Sequence, residues 1–173
     1  MKIAVIIPPK DFKDETLSMA KLLMNKWEVK PVISSYTSSP CTGVHGAVAI
    51  PEVNASKLEV QDYSALLLID GTGVDSYNLY DFRPLLDLIK NFSASGKVVG
   101  AIGNAIKVIS RANIITDTKV SAPPDEESQR LIRIYKGVNS QNPVEVDKNV
   151  VTARSSENAE TFISTVLDAI GAK

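Results

Sequence analysis

The stretch that most constrains this chain runs from Lys97 to Arg111, KVVGAIGNAIKVISR. It opens as a short valine-rich apolar run, the composition of a strand buried on both faces. It then meets Gly103-Asn104 and continues with Ala105, Ile106, Val108 and Ile109, whose spacing predicts a short helix lying on a sheet. Strand, tight turn and helix in that order place the turn at the carboxyl end of a strand, where open parallel sheets form their clefts. The same geometry can present a nucleophile on a strained elbow. Here the elbow residue is Gly103, which has no side chain to attack with.

Other segments fall into place around this one. Lys2 to Ile7, KIAVII, is nearly all apolar and β-branched, as a central parallel strand would be. Phe12, Leu17, Ala20, Leu23 and Met24 recur at helical spacing to about Lys26, and a second strand follows from about Glu28 to Ser34. This is βαβ order, which implies a right-handed crossover. Val44 to Ile50 reads as a small edge or hairpin strand interrupted by Gly46. Ala65 to Ile69, ALLLI, is a buried strand that stops at the turn Asp70-Gly71-Thr72-Gly73. Pro84 suits the first turn of a helix reaching about Phe92, and Gly96 ends it. Arg130 to Tyr135, RLIRIY, alternates polar and apolar and predicts a half-buried strand. Val144 to Asp147 and Val150 to Ala153 are further strands, and Ser155 and Ser156 are candidate caps for a final helix with Phe162, Ile163, Val166 and Leu167 inward. The expected fold is α/β: a three-layer α/β/α sandwich, flavodoxin-like, with a mostly parallel sheet and a small β insertion. It is expected to be a single domain over residues 1–173.

Composition excludes several functions. Net charge is −1, with 19 basic and 20 acidic side chains interspersed, so neither nucleic acid nor a membrane surface is an expected partner. The apolar start is cut short by Pro8-Pro9 and is no signal peptide, and no run approaches the ~20 residues of a spanning helix. One cysteine, Cys41, cannot form an internal disulfide, which points to a reducing cytoplasm. Cys41 sits in SSPCTG with no base assigned to it and reads as an incidental loop thiol. His45 has no second ligand at metal spacing and reads as a structural or surface histidine, so no metal site is expected.

In order along the chain, KIAVII leading to Asp14-Glu15-Thr16, then ALLLIDGTG, KVVGAIGNA, KVSAPP and VVTARSSENAETFISTVL resemble the landmarks of the DJ-1/PfpI family of the class I glutamine amidotransferase-like superfamily. That resemblance implies the same sandwich fold, a cytosolic homo-oligomer such as a dimer, and a site centred on an elbow cysteine. It also implies an acid from the first helix that tunes the cysteine and, in many members, a nearby histidine. Laid over this sequence, Glu15 falls at the position of the acid, Gly103 at that of the cysteine, and Ala122 near that of the histidine. Asp70 replaces the proline before the glycine pair, and Thr72 replaces one glycine. Covalent catalysis needs a thiolate or an activated hydroxyl with a base in reach. Neither Gly103 nor Ile102, Asn104 or Ala105 supplies one, so cysteine-dependent protease, deglycase or glyoxalase chemistry is not expected.

The leading expectation is therefore a degenerate family member that binds a small polar or anionic ligand, or a protein partner, without a cofactor. Its cleft is expected to be built from Glu15, Asp70, Gly71, Gly103, Asn104 and Arg154. An alternative is a divergent hydrolase or lyase, protease- or amidase-like, in which Glu15 and Asp70 divide acid and base roles. A flavin or nucleotide binder is disfavoured: the glycines around 100–105 are not spaced as GxGxxG, and no Ser/Thr/Gly-rich loop follows the first strand.

Overall fold

A computed structural model describes residues 1–173. The first half of the chain runs β1 (Lys2–Ile6), β2 (Lys10–Phe12), α1 (Asp14–Lys26), β3 (Lys30–Ser35), β4 (Cys41–Gly43), β5 (Val48–Ala49), β6 (Val53–Asn54), β7 (Ala65–Leu68), α2 (Thr72–Ser76) and α3 (Arg83–Ala94). The second half runs β8 (Val98–Ile102), α4 (Ile106–Arg111), β9 (Lys119–Val120), α5 (Glu126–Ile134), β10 (Val138–Asn139), β11 (Val144–Asp147), β12 (Val150–Ala153) and α6 (Ala159–Ala169).

Seven strands form one sheet in the order β11-β12-β8-β7-β1-β3-β6. Every pairing in it is parallel except β11 with β12. Because side chains alternate across a strand, a sheet covered on both sides needs apolar residues at every position. β1 meets that need: Ile3 and Val5 face one apolar layer and Ala4 and Ile6 the other. The first layer holds α1 and α6, with Leu17, Met24, Phe162 and Val166 buried against the sheet. The second holds α3 and α4, with Leu85, Ile89, Phe92, Ile106 and Ile109 buried. The result is the α/β/α sandwich.

Two local expectations change, and a third is sharpened. Residues 130–135 are helical, as part of α5, rather than a strand. The Asp125 carboxylate accepts a hydrogen bond from the Ser128 N–H at 3.0 Å and caps the helix, and Glu127 pairs with Arg130 one turn on at 2.7 Å. Its inward stripe is Ser128, Leu131 and Ile132, a helical spacing that the polar Ser128 disguises in the sequence. The segment from 44 to 50 is a hairpin piece, as one of its two readings has it: it holds the turn and the second strand, β5, which pairs antiparallel with the preceding β4 and, with β2, makes a separate three-stranded sheet. The four residues from Asp70 to Gly73 do not form one open turn. The chain turns at Gly71, with φ 142°, and already enters α2 at Thr72.

Gly100 in the middle of β8 shows how closely the layers approach. A Cβ there would lie 2.9 Å from Leu67 Cδ1 and 3.2 Å from both Phe162 Cζ and Val166 Cγ2. Gly100→Ala is expected to lower stability by about 1–3 kcal/mol through overpacking, read as a lower urea midpoint. An unchanged midpoint would mean that α6 can move off the sheet freely.

Candidate functional site

The carboxyl ends of β1, β7, β8 and β12 open on the same edge of the sheet, and a cleft of about 230 Å³ lies there. Lys13 lines it from the approach to α1, Asp70, Gly71 and Thr72 from the end of β7, and Gly103 and Asn104 from the elbow after β8. Pro123 and the run Arg154, Ser155 and Ser156 complete it. One proline aside, every lining residue is polar or glycine.

The elbow has the geometry that the sequence implies. β8 ends at Ile102, Gly103 takes φ 58°, and a turn of 3₁₀ helix over Gly103–Ala105 leads into α4. A left-handed backbone costs an ordinary residue about 1–2 kcal/mol and glycine nothing comparable. A second restriction is steric. A Cβ on Gly103 would lie 2.8 Å from Asp70 Oδ2 and 3.0 Å from Asp70 Cβ. The Asp70 carboxyl thus fills the space into which an elbow side chain would project.

Asp70 is only 4 % exposed, and its Oδ1 has no hydrogen-bond partner. Thr16, fully buried on the first turn of α1, also has a hydroxyl without a partner of good geometry. Burial disfavours the charged carboxylate and pushes the Asp70 pKa up to about 6, against smaller opposing pulls from Thr16, its own backbone and Lys13. The Lys13 N–H donates to the Asp70 carbonyl at 2.8 Å, which ties the start of α1 to the end of β7.

Asn104 fixes the other side of the elbow. Its Oδ1 accepts from the Gly71 N–H at 3.1 Å, and its Nδ2 donates to the Gly71 carbonyl at 2.7 Å and to Asp75 Oδ2 at 3.3 Å. Asp75 also pairs with the buried Lys107, whose ammonium lies 5.2 Å from the Tyr80 ring centroid. The Asn104 side chain is a brace between two turns. Arg154 donates to the Gln141 carbonyl at 3.2 Å and lines both this cleft and a second depression of about 590 Å³ that includes Ala122, Gln129 and Asn139.

Of the residues expected from the sequence, Asp70, Gly71, Gly103, Asn104 and Arg154 line the cleft, and Glu15 does not. The Glu15 side chain is 46 % exposed and lies 3.7 Å from Lys13 Nζ. Helix phase explains the correction. α1 begins at Asp14 and turns Thr16, Leu17, Ala20 and Met24 inward, which leaves Glu15 on the outer face. The half-exposed Glu15 and the buried Asp70 therefore occupy different environments, and Glu15 acts on Asp70 as a nearby charge that pushes its carboxyl pKa up. Lys13, Thr72, Pro123, Ser155 and Ser156 also line the cleft and are not among the cleft residues expected from the sequence. Thr72, Ser155 and Ser156 follow the carboxyl ends of β7 and β12 of the main sheet, the one signal that could have found them; Lys13 and Pro123 follow the small strands β2 and β9 and carry no such signal.

Two further side chains differ in their fates. Cys41 is fully buried at the start of β4 rather than in a loop, and burial raises its thiol pKa, the opposite of activation. His45 is exposed on the hairpin, and its backbone N–H donates to Asp14 Oδ1 at 2.9 Å while that of Ala47 donates to Oδ2 at 2.8 Å. Burial pushes the Asp14 carboxyl up, but these two bonds, its own backbone N–H and the nearby His45 together hold it below its ordinary pKa, and the two bonds anchor the hairpin to α1.

Fold and site together define a three-layer α/β protein whose cleft is organised by a strand–elbow–helix unit at the carboxyl edge of the sheet. The DJ-1/PfpI family model matches residues 1–169, and the chain belongs to that family. It is 31 % identical over 169 residues to an uncharacterized protein of Methanocaldococcus jannaschii, an alignment that covers 98 % of this chain and 82 % of that one. A ThiJ/PfpI domain protein from Brachyspira murdochii superposes with a TM-score of 0.92 at 20 % identity, over 99 % of this chain and 97 % of the other. DJ-1beta of Drosophila melanogaster superposes at 0.85 with 15 % identity, over 99 % and 91 %. At these identities the solved structures establish the shared fold.

The raised Asp70 pKa has a consequence for stability. Unfolded, the group titrates near 3.8, and folded near 6, so the native state holds the proton more tightly and loses stability as pH rises between those values. Asp70→Asn, which keeps the shape without the charge, is expected to raise unfolding free energy by roughly 2–4 kcal/mol at pH 8 and by almost nothing near pH 3. An equal effect at both pH values in urea titrations would show that Asp70 is not destabilised as a carboxylate.

Proposed function

We propose that this protein binds a small anionic ligand, a carboxylate or another oxyanion of a few heavy atoms, in the cleft beside Gly103 and performs no thiol chemistry there. The observation that carries the reading is the composition of the lining. Two cations, Lys13 and Arg154, share a polar cleft of about 230 Å³ with the hydroxyl residues Thr72, Ser155 and Ser156, and its elbow has no side chain. The Lys13–Glu15 pair is half-exposed and long at 3.7 Å, so Lys13 remains available to a ligand. Arginine offers a planar fork that suits carboxylate or phosphate oxygens. A cleft of this size with, one proline aside, no aliphatic or aromatic side chain in its lining has little to offer a large hydrophobic substrate.

Calorimetric titration with sulfate at pH 5.5 tests this. Arg154→Ala and Lys13→Ala are each expected to weaken binding by roughly 10–100-fold, the range of a lost charge-assisted hydrogen bond. Sulfate binding that survives the double variant unchanged would place the anion elsewhere and defeat the reading.

We further infer that the chain works as a single-domain cytoplasmic protein and as a homo-oligomer. No helix is long and apolar enough to cross a membrane, and the single thiol is unpaired. Val44, Val48 and Ile50 expose apolar surface together on the β4–β5 hairpin, which favours a protein contact there. A light-scattering mass at the 18.7 kDa of one chain, rather than a multiple of it, would contradict the oligomer.

A further inference from the structure

Resting on the reading of the cleft as an anion site, we propose that each anion bound there is taken up together with one proton, carried by Asp70. The geometry supplies two independent reasons. The Asp70 carboxyl is 4 % exposed, and its buried Oδ1, near the Thr16 hydroxyl, has no hydrogen bond of good geometry. Its Oδ2 lies against the bare Cα side of Gly103, 2.8 Å from where an elbow Cβ would stand. The group at the bare elbow is therefore an acid, with its Oδ2 on the Gly103 side of the cleft and little water around it.

Such a group treats an anion in two opposite ways. Ionised, it repels a carboxylate or sulfate in a poorly solvated space. Protonated, it carries an O–H that can donate to an anion oxygen, and the repulsion is gone. Binding therefore selects the protonated form, and the anion enters with a proton.

The surrounding charges leave Asp70 as the titrating partner. From α1 and its approach come Lys13, which favours its ionisation, and Glu15, which opposes it from the outer face. From α2 comes Asp75, already paired with Lys107. The elbow contributes Gly103 and the neutral amide of Asn104, and the end of β12 contributes Arg154. On the hairpin side, Asp14 is engaged by the His45 and Ala47 N–H groups. Burial outweighs Lys13 and brings the Asp70 titration to about 6, close enough to neutrality for the proton to be gained and lost near pH 7.

The test uses the full-length protein and sulfate, whose charge is constant from pH 5 to 8. Calorimetry in two buffers of different ionisation enthalpy is expected to show about one proton taken up per sulfate at pH 7.5, with affinity falling about tenfold per pH unit above pH 6.5 and flat below pH 5.5. Asp70→Asn, with a permanent N–H donor, is expected to bind at pH 8 as tightly as at pH 5 and to take up no proton. Asp70→Ala, with no donor, is expected to bind more weakly than the parent protein at pH 5 and without pH dependence. Both variants keep His45, so a pH dependence that persists in them would assign the proton to another group and overturn the proposal. Parent protein that binds sulfate equally at pH 5.5 and 8 without proton uptake would also overturn it and leave the anion cleft standing. Parent protein that binds no sulfate at any pH would overturn the anion reading, and this proposal with it.

Discussion

The site is governed by a steric competition: Asp70, placed as it is, and a side chain at position 103 claim the same space at the elbow. A Cβ on Gly103 would meet Asp70 Oδ2 at 2.8 Å and Asp70 Cβ at 3.0 Å. In this chain the bare elbow and the buried carboxyl thus go together. The braces around the elbow hold this arrangement. Asn104 joins the two turns through Gly71 and Asp75, and Lys13 holds the Asp70 backbone at 2.8 Å.

That arrangement needs a rigid platform, and the sheet provides one. β8 is buried at every position, and its Gly100 lets α6 approach closely enough for Phe162 and Val166 to seal one face. Close-packed layers on both faces fix the carboxyl ends of four parallel strands at one edge. The residues beyond those ends then differ in chemistry while the scaffold beneath them keeps its form. This is how a chain 20 % identical to the Brachyspira murdochii protein can superpose on it with a TM-score of 0.92.

Much of the fold was legible in the sequence because it rests on the two periodicities that local chemistry sets. The runs KIAVII, ALLLI and KVVGAI could only be strands covered on both faces, and α3 and α6 showed clear stripes. The segment RLIRIY misled because a few alternating residues fit a strand and a helix equally, and the cap that decides between them lies upstream at Asp125. The cleft was legible where a strand end coincided with an unusual residue, as at Asp70, Gly103 and Arg154. Glu15 and Thr16 were not separable by sequence, since one residue of helix phase decides which of two neighbours faces inward. The contact between Asp70 and Gly103 joins positions 33 residues apart in the chain, and no local pattern encodes it.

The most direct measurement of the central claim is a double-mutant cycle in urea with Gly103→Cys, Asp70→Gly and the double variant, at pH 5 so that the Asp70 charge plays little part. Gly103→Cys alone is expected to cost about 2–4 kcal/mol, from overpacking and left-handed strain together. Asp70→Gly empties the contested space, so the double variant is expected to be more stable than the sum of the single changes by at least ~1 kcal/mol. Additive costs would contradict the account, because they would mean that the Asp70 carboxyl and an elbow side chain do not compete for the same place.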